Sequence, residues 1–246
     1  EAKKRKLSIK SYAQAIGELT KKYKTITISG AHGKSTTTAL TSLVLEEGYF
    51  DPTVIIGTKV KEFGNSNFRK GMGNYLVLEA DEYNKSFLNY SPRIAAVTNI
   101  DAEHLDTYKT VERVEEAFEK YLARVPADGA IVANADDKRL RKVAKKFGKK
   151  VTWYSLKKPE AQMVRNLLKI PGEHNVSNAL CALSIGRVLG LHEPDILRAL
   201  GRFRGAWRRF EFKGIMQGAF IFSDYGHHPR EIFATLAAAR SRFPMR

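Results

Sequence analysis

Apolar positions recur along this chain in short runs, with longer helical stretches between them. Thr25–Ser29 (TITIS) is a β-branched run closed by a glycine, and it predicts a short buried strand. Lys34–Glu47 then carries a helical pattern that Gly48 closes as a C-cap. Further strands are expected at Thr53–Ile56, Tyr75–Glu79, Ile94–Thr98, Ala130–Ala133 and Val151–Tyr154, with helices at Val111–Arg124 and Asp136–Phe147. Near-continuous apolar strands alternating with helices predict an α/β fold: a mostly parallel sheet with helices on both faces. Two consecutive helices, Asn175–Leu189 and Glu193–Leu200, follow. The glycine- and asparagine-rich stretch Gly57–Asn74 reads as a functional or mobile loop. After Arg209 the pattern restarts, with strands near Phe210–Lys213 and at Ala219–Ser223 and a helix over Pro229–Arg242. Pro229 suits a first helical turn. This restart predicts a boundary near Trp207 and the opening of a second α/β domain.

Composition narrows the class without identifying it. With 246 residues, 43% of them hydrophobic, the chain can bury a sizeable core in one or two domains. A single cysteine, Cys181, excludes a disulfide framework and a cysteine zinc cluster, and its place beside Leu180 reads as a packed apolar position. No apolar run approaches the roughly 18 residues that span a bilayer, and the polar start at Glu1–Lys6 resembles no export signal. A soluble, cytoplasmic protein is the expectation. Lys+Arg total 42 against Asp+Glu 26, giving +16, with clusters at Lys3–Lys6, Lys145–Lys150 and Arg202–Arg209. Nucleic acid, a polyanionic nucleotide or a solvated basic surface would each account for that charge.

Three motifs carry chemistry, and each lies just past a predicted strand, where open α/β sheets place ligands. The first is Gly30-Ala31-His32-Gly33-Lys34-Ser35-Thr36. Its glycines permit close backbone approach to phosphates, its helix N-terminus presents N–H groups, Lys34 adds a mobile charge, and Ser35 offers a hydroxyl to Mg²⁺. Ile28 stands where the longer phosphate-loop motif has glycine, so this is a shorter variant that an ordinary glycine turn could also produce. The second, Tyr75–Glu82, is an apolar strand ending in Glu79, Asp81 and Glu82, where a carboxylate holds Mg²⁺ in nucleotide-hydrolysing folds. The third, Thr98–Asp106, places His104 among carboxylates as a metal ligand, a general base or a surface histidine.

Taken in order, GAHGKSTTT (30–38), EADEYNKSFL (79–88), TNIDAEHLDTY (98–108), PGEHNVSNAL (171–180), WRRFEFKG (207–214) and DYGHHPRE (224–231) resemble the Mur ligases of peptidoglycan assembly. The resemblance implies an ATP-dependent amide ligase that makes an acyl phosphate from a substrate carboxylate and passes it to an amine. Here the implied substrates are UDP-N-acetylmuramate and L-alanine, with ATP and Mg²⁺ as cofactors and no nucleic acid or membrane partner. Carried over by position, Gly30, His32, Gly33, Lys34 and Thr36 cradle the phosphates, and Ser35 and Glu82 ligate Mg²⁺. His104 belongs to a second metal site, so Lys34, Glu82 and His104 form the catalytic set. Asn175 and Asn178 are three apart on one helix and resemble adenine-contacting asparagines. Arg208 or Arg209 resembles the arginine that reaches the phosphates from the domain junction, and Asp224 the ribose-binding aspartate. His227 and His228 lie towards the substrates with no chemistry assigned. Relatives usually carry Thr at Ser35, and many use a carbamylated lysine, for which Lys120 is the nearest candidate. The implied division is a passage from an N-terminal sugar-binding domain at 1–21, a central ATP-binding domain at 22–207, and the start of a C-terminal domain at 208–246. Two other readings stay open: a recycling ligase that adds a whole peptide to the same nucleotide sugar, and a basic phosphate-loop ATPase that binds nucleic acid. A catalytically silent module is disfavoured by the intact Lys34, Ser35, Glu82 and His104.

Overall fold

The computed structural model describes residues 4, 5 and 7–244; of the basic cluster Lys3–Lys6, Lys3 and Lys6 lie outside the described residues, as do the ends of the 1–21 and 208–246 segments. Seven strands form one sheet in the order β3-β2-β4-β1-β5-β6-β7: β1 Lys24–Ser29, β2 Thr53–Val60, β3 Ser66–Arg69, β4 Tyr75–Glu79, β5 Ile94–Val97, β6 Ala130–Asn134 and β7 Val151–Tyr154. Every pairing is parallel except β2 with β3. Because side chains alternate along a strand, each strand feeds two cores. Ile26, Ile28, Val77, Ala96 and Val132 face the helices α2 (Lys34–Glu47), α6 (Glu160–Leu167), α7 (Glu173–Val188) and α8 (Glu193–Arg202). Leu76, Leu78, Ala95, Val97, Ile131 and Ala133 face α4 (Val111–Leu122) and α5 (Lys138–Ala144). α2 and α7 are buried nearly all round, because they pack on the sheet and on each other.

Three expectations change. The predicted loop 57–74 is largely ordered structure: β2 continues to Val60, a 3₁₀ turn spans Lys61–Phe63, and β3 returns antiparallel along the sheet edge. Here buried Ile56, Thr58 and Val60 alternate with exposed Gly57 and Lys59, so no continuous apolar run marks the strand. Second, the helix expected over Asp136–Phe147 stops at Ala144 and tightens into a 3₁₀ turn over Lys145–Lys150, where Gly148 adopts φ 58°. Third, the stretch expected as a passage contains α1 (Tyr12–Thr20), capped by Ser11 with Gln14 in a capping box. Its Ile16 and Leu19 pack on the second core. Within it, Gly17 lies so close to the Asn89 carbonyl that a Cβ would meet it at 2.5 Å. The helix α6 was not expected at all.

The last segment is an antiparallel hairpin, β8 (Glu211–Met216) with β9 (Ala219–Ser223), followed by α9 (Pro229–Arg242). The extended half of β2 fastens its root. Trp207 N–H donates to the Lys59 carbonyl at 2.9 Å, the Thr58 hydroxyl donates to the Trp207 carbonyl at 3.1 Å, and Val60 bridges Ala206. The misjudged loop is therefore what holds the junction.

Candidate functional site

The ends of β1, β4, β5 and β6 meet at one edge of the sheet. After β1, Gly30 takes φ 130° and Gly33 takes φ 84°, both in the left-handed half of backbone space. Gly33 caps α2 with no side-chain partner, so the amides of Lys34, Ser35 and Thr36 open the helix without intrahelical acceptors. They form a dipole-assisted anion cradle. A Cβ at Gly30 would strike the Thr98 hydroxyl, and one at Gly33 the Asn178 side-chain oxygen. Gly33→Ala is accordingly expected to cost about 1–2 kcal/mol from the left-handed backbone, and to displace Asn178. A lower Tm with weaker nucleotide binding, by thermal melting and calorimetry, checks it.

Lys34 folds back over its own loop. Its ammonium donates to the carbonyls of Gly30 (2.7 Å) and Ala31 (3.2 Å) and to both oxygens of Glu82, at 3.0 and 3.1 Å. Burial alone would lower the Lys34 pKa, but Glu82, Asp81 and Glu79 raise it. Glu82, only 2% exposed, is pushed up by burial and pulled lower overall by His104 and Lys34. The pair is therefore ionised. His104 opens the short helix α3 (Leu105–Tyr108) at φ 55°, with Nε2 3.6 Å from Glu82, and the Glu82 hydrogen bond raises its pKa against burial. Ligand atoms of Asp81, Glu82 and His104 lie within 4.8 Å of one another. Two carboxylates and an imidazole suit a divalent cation.

Ser35, the hydroxyl that the motif offers to Mg²⁺, lies against a carboxylate. Its hydroxyl donates to Glu79 Oε1 at 3.0 Å, and the other Glu79 oxygen accepts the Gly57 N–H at 2.7 Å. Burial raises the Glu79 pKa, against that amide, Lys34 and Ser35. A hydroxyl and a carboxylate thus converge beside the phosphate cradle, while Glu82 turns to Lys34 and His104. Glu79 was visible in the sequence as the last residue of the β4 strand; its two-residue offset from Asp81 was not enough to rank it first.

Two cavities meet here. One, of about 330 Å³, is lined by Gly33, Thr36, Asn175, Asn178, Asp224 and Arg209 among others. The second, about 710 Å³, holds Lys34, Ser35, Glu79, Asp81, His104 and Arg208. Gly33, Arg209 and Glu231 line both. Asn175 donates to the Pro171 carbonyl at 2.6 Å. Arg208 and Phe210 adopt φ 55° and 48°, a strained turn of the kind that persists where surrounding structure enforces it. It holds Arg208 over Tyr225 and Arg209 against the same ring, 5.0 and 5.4 Å from its centroid. Asp224 accepts the amides of Phe210 and Gly226, both at 2.7 Å, and the Thr235 hydroxyl at 3.2 Å. His32 faces Asp101, Glu103 and Glu231, while His227 is exposed and His228 caps α9. Lys120 lies exposed in the last turn of α4, outside both cavities. Of the basic clusters, Arg202 pairs with Glu47 at 2.9 Å, and Arg208 and Arg209 turn into the site.

A parallel sheet with a glycine loop, carboxylates at strand ends and a second segment folded over them defines a phosphate-loop α/β domain built for nucleotide chemistry. Residues 28–169 match the Mur ligase middle domain. The chain belongs to the Mur ligase family. It is 42% identical to the UDP-N-acetylmuramate–L-alanine ligase of Pelotomaculum thermopropionicum over 97% of this chain, and 38% identical to that of Aquifex aeolicus over 99%. It spans 57% and 58% of the length of those two relatives. The crystal structure of the UDP-N-acetylmuramate–alanine ligase from Thermotoga maritima superposes with a TM-score of 0.83 at 27% identity, over 99% of this chain and 60% of that one. A murein peptide ligase from Psychrobacter arcticus shares the fold, with a TM-score of 0.75 at 23% identity, over 100% of this chain and 60% of that one. Among the described residues no helix is long and apolar enough to cross a membrane.

Proposed function

We propose that this chain is the ATP-handling part of a cytoplasmic ligase that joins L-alanine to the carboxylate of UDP-N-acetylmuramate. In this reading residues 22–207 form the ATP-binding domain, and 208–246 open the domain that completes the site. The observation that carries it is the meeting of the two cavities at Gly33 and Arg209, one asparagine-lined and one carboxylate-lined. A nucleoside would occupy the first, with Asn175 and Asn178 towards the base and Asp224 towards the ribose, and its phosphates would enter the second.

The residues fit Mg²⁺. Ser35 and Glu79 would hold one ion, and Asp81, Glu82 and His104 a second. Bound there, the ions would neutralise phosphate charge and polarise the transferring phosphoryl group. The chain's own residues do the rest. The amides of Lys34, Ser35 and Thr36 orient the terminal phosphates, while Lys34, already charged, stabilises negative charge as it develops. Arg209, from the other side, reaches both cavities and fixes the phosphoryl group relative to the acceptor carboxylate.

The test is ADP release with Mg-ATP, UDP-N-acetylmuramate and L-alanine, omitting each in turn, on this chain and on its full-length protein. Turnover that needs all three supports the reading. Turnover with a preformed peptide in place of L-alanine would reassign the acceptor, and binding to nucleic acid that falls steeply with salt would replace the ligase reading.

A further inference from the structure

The contacts between α9 and the phosphate loop extend the nucleotide reading above and rest on it. Glu231, in the first turn of α9, lies with Oε1 3.3 Å from His32 Nδ1 and 3.9 Å from Arg209. Its other oxygen accepts the His227 amide at 3.2 Å. Beside it, Arg230 pairs with Asp101 at 2.7 Å. Asp101 Oδ2 is in turn 3.4 Å from His32 Nε2, and Glu103 is 3.4 Å from His32 Nδ1. The His228 ring lies 4.9 Å from that of His32. Each nitrogen of His32 thus faces a carboxylate, and only the doubly protonated ring donates to both. The main chain of His32 is pinned as well. Its amide donates to the Asn99 side chain at 2.9 Å, and its carbonyl accepts from Thr98 Oγ1 at 2.6 Å and from Asn99 Nδ2 at 2.9 Å.

We infer that Glu231 is a positioning residue, the centre of an ionic clasp through which the C-terminal segment holds the phosphate loop (through His32) and Arg209 in their nucleotide-binding arrangement. Burial would raise the Glu231 pKa, but His32, the His227 amide and Arg209 draw it down to about 2, as expected of a carboxylate held among donors. The geometry gives the clasp two prongs. Glu231 reaches the loop after β1, and Arg230 reaches the loop after β5. Closure of the segment over the cavities is thereby sensed at the phosphate cradle itself, three residues before Ser35.

Glu231→Gln tests it, because a glutamine can keep its carbonyl on the amides of the capping box with His228 while presenting an NH₂ in place of the charged acceptor to His32 and Arg209. In the 246-residue chain, affinity for Mg-ATP is expected to fall about tenfold in this variant and in His32→Asn. The double variant should lose little more than either single one, since the two side chains act through one contact. Hydrogen exchange at 228–232 and at 30–34 should quicken together in Glu231→Gln, which a merely local capping role would not produce. Arg230→Gln should quicken exchange at 228–232 while leaving 30–34 protected. Additive losses, or unchanged exchange at 30–34 in Glu231→Gln, would overturn the clasp. If the wild-type chain binds no nucleotide, the nucleotide reading falls, and the exchange comparison, which needs no nucleotide, still decides the clasp.

Discussion

Lys34→Ala is expected to weaken Mg-ATP binding by roughly 10- to 100-fold, the worth of a hydrogen bond to a charged group, and also to destabilise the fold. The second effect comes from what Lys34 holds besides the ligand. In the structure its ammonium is bound to both oxygens of Glu82, and Glu82 is 2% exposed. Removing one member of a buried pair strands the other charge, at a cost of about 3 kcal/mol. For a chain of this size that lowers Tm by about 10 °C. His104, 3.6 Å from Glu82 and with its pKa raised, supplies part of the missing charge at low pH. The sign follows directly. Protonated His104 offsets Glu82 below its raised pKa, and that compensation is lost as pH rises through it. The Tm deficit of Lys34→Ala should therefore widen with pH. The double variant Lys34→Ala with Glu82→Gln separates the two roles: it should regain most of the lost Tm and none of the nucleotide affinity. Wild-type affinity in Lys34→Ala would remove the loop from phosphate binding, and an unchanged Tm would mean that Glu82 finds solvent when its partner goes.

How much of this was legible in the sequence depends on which force fixes each element. The parallel strands β1, β4, β5 and β6 were readable because burial on both faces imposes runs of apolar and β-branched residues, which solvent-facing segments lack. The outer half of β2 and the edge strand β3 were not, since their residues alternate into solvent at Gly57 and Lys59. The phosphate loop was legible because the left-handed turns at Gly30 and Gly33 demand glycine. The clasp was not. It joins His32 to Glu231 across 199 positions, and no local pattern announces a contact of that span. Between these extremes lies the carboxylate cluster after β4. Three acids in four residues were plain in the sequence, but which one meets Ser35 depends on the turn of the chain after Glu79. The Ala80 amide still bonds Ile28 as a strand would, and the chain bends only then, turning Glu82 towards Lys34.

That distinction makes Glu79→Gln the sharpest test of the site. Glu79 sits between the Ser35 hydroxyl and the Gly57 amide, both donors. A glutamine can accept the Gly57 amide with its carbonyl and present its NH₂ to Ser35, whose hydroxyl turns to accept it, so that what is lost is the negative charge and one acceptor oxygen. The Mg²⁺ concentration for half-maximal nucleotide binding is expected to rise at least tenfold, about 1.4 kcal/mol, with little change in Tm because the carboxyl is already costly to ionise. Its raised pKa gives a second reading of the same residue. Folded Glu79 holds its proton to higher pH than the unfolded chain does. Its contribution to stability is therefore full below the unfolded pKa and is lost as pH rises through the folded one. Cation binding requires the carboxylate, so Mg²⁺ should displace that proton, and wild-type affinity should climb as pH rises across the same interval. In Glu79→Gln the climb should flatten. A calorimetric titration in two buffers of different ionisation enthalpy measures the released proton directly. If Glu79→Gln leaves both the Mg²⁺ dependence and the proton release intact while Glu82→Gln abolishes them, the cation belongs with Glu82, and Ser35 bonds Glu79 for structure alone.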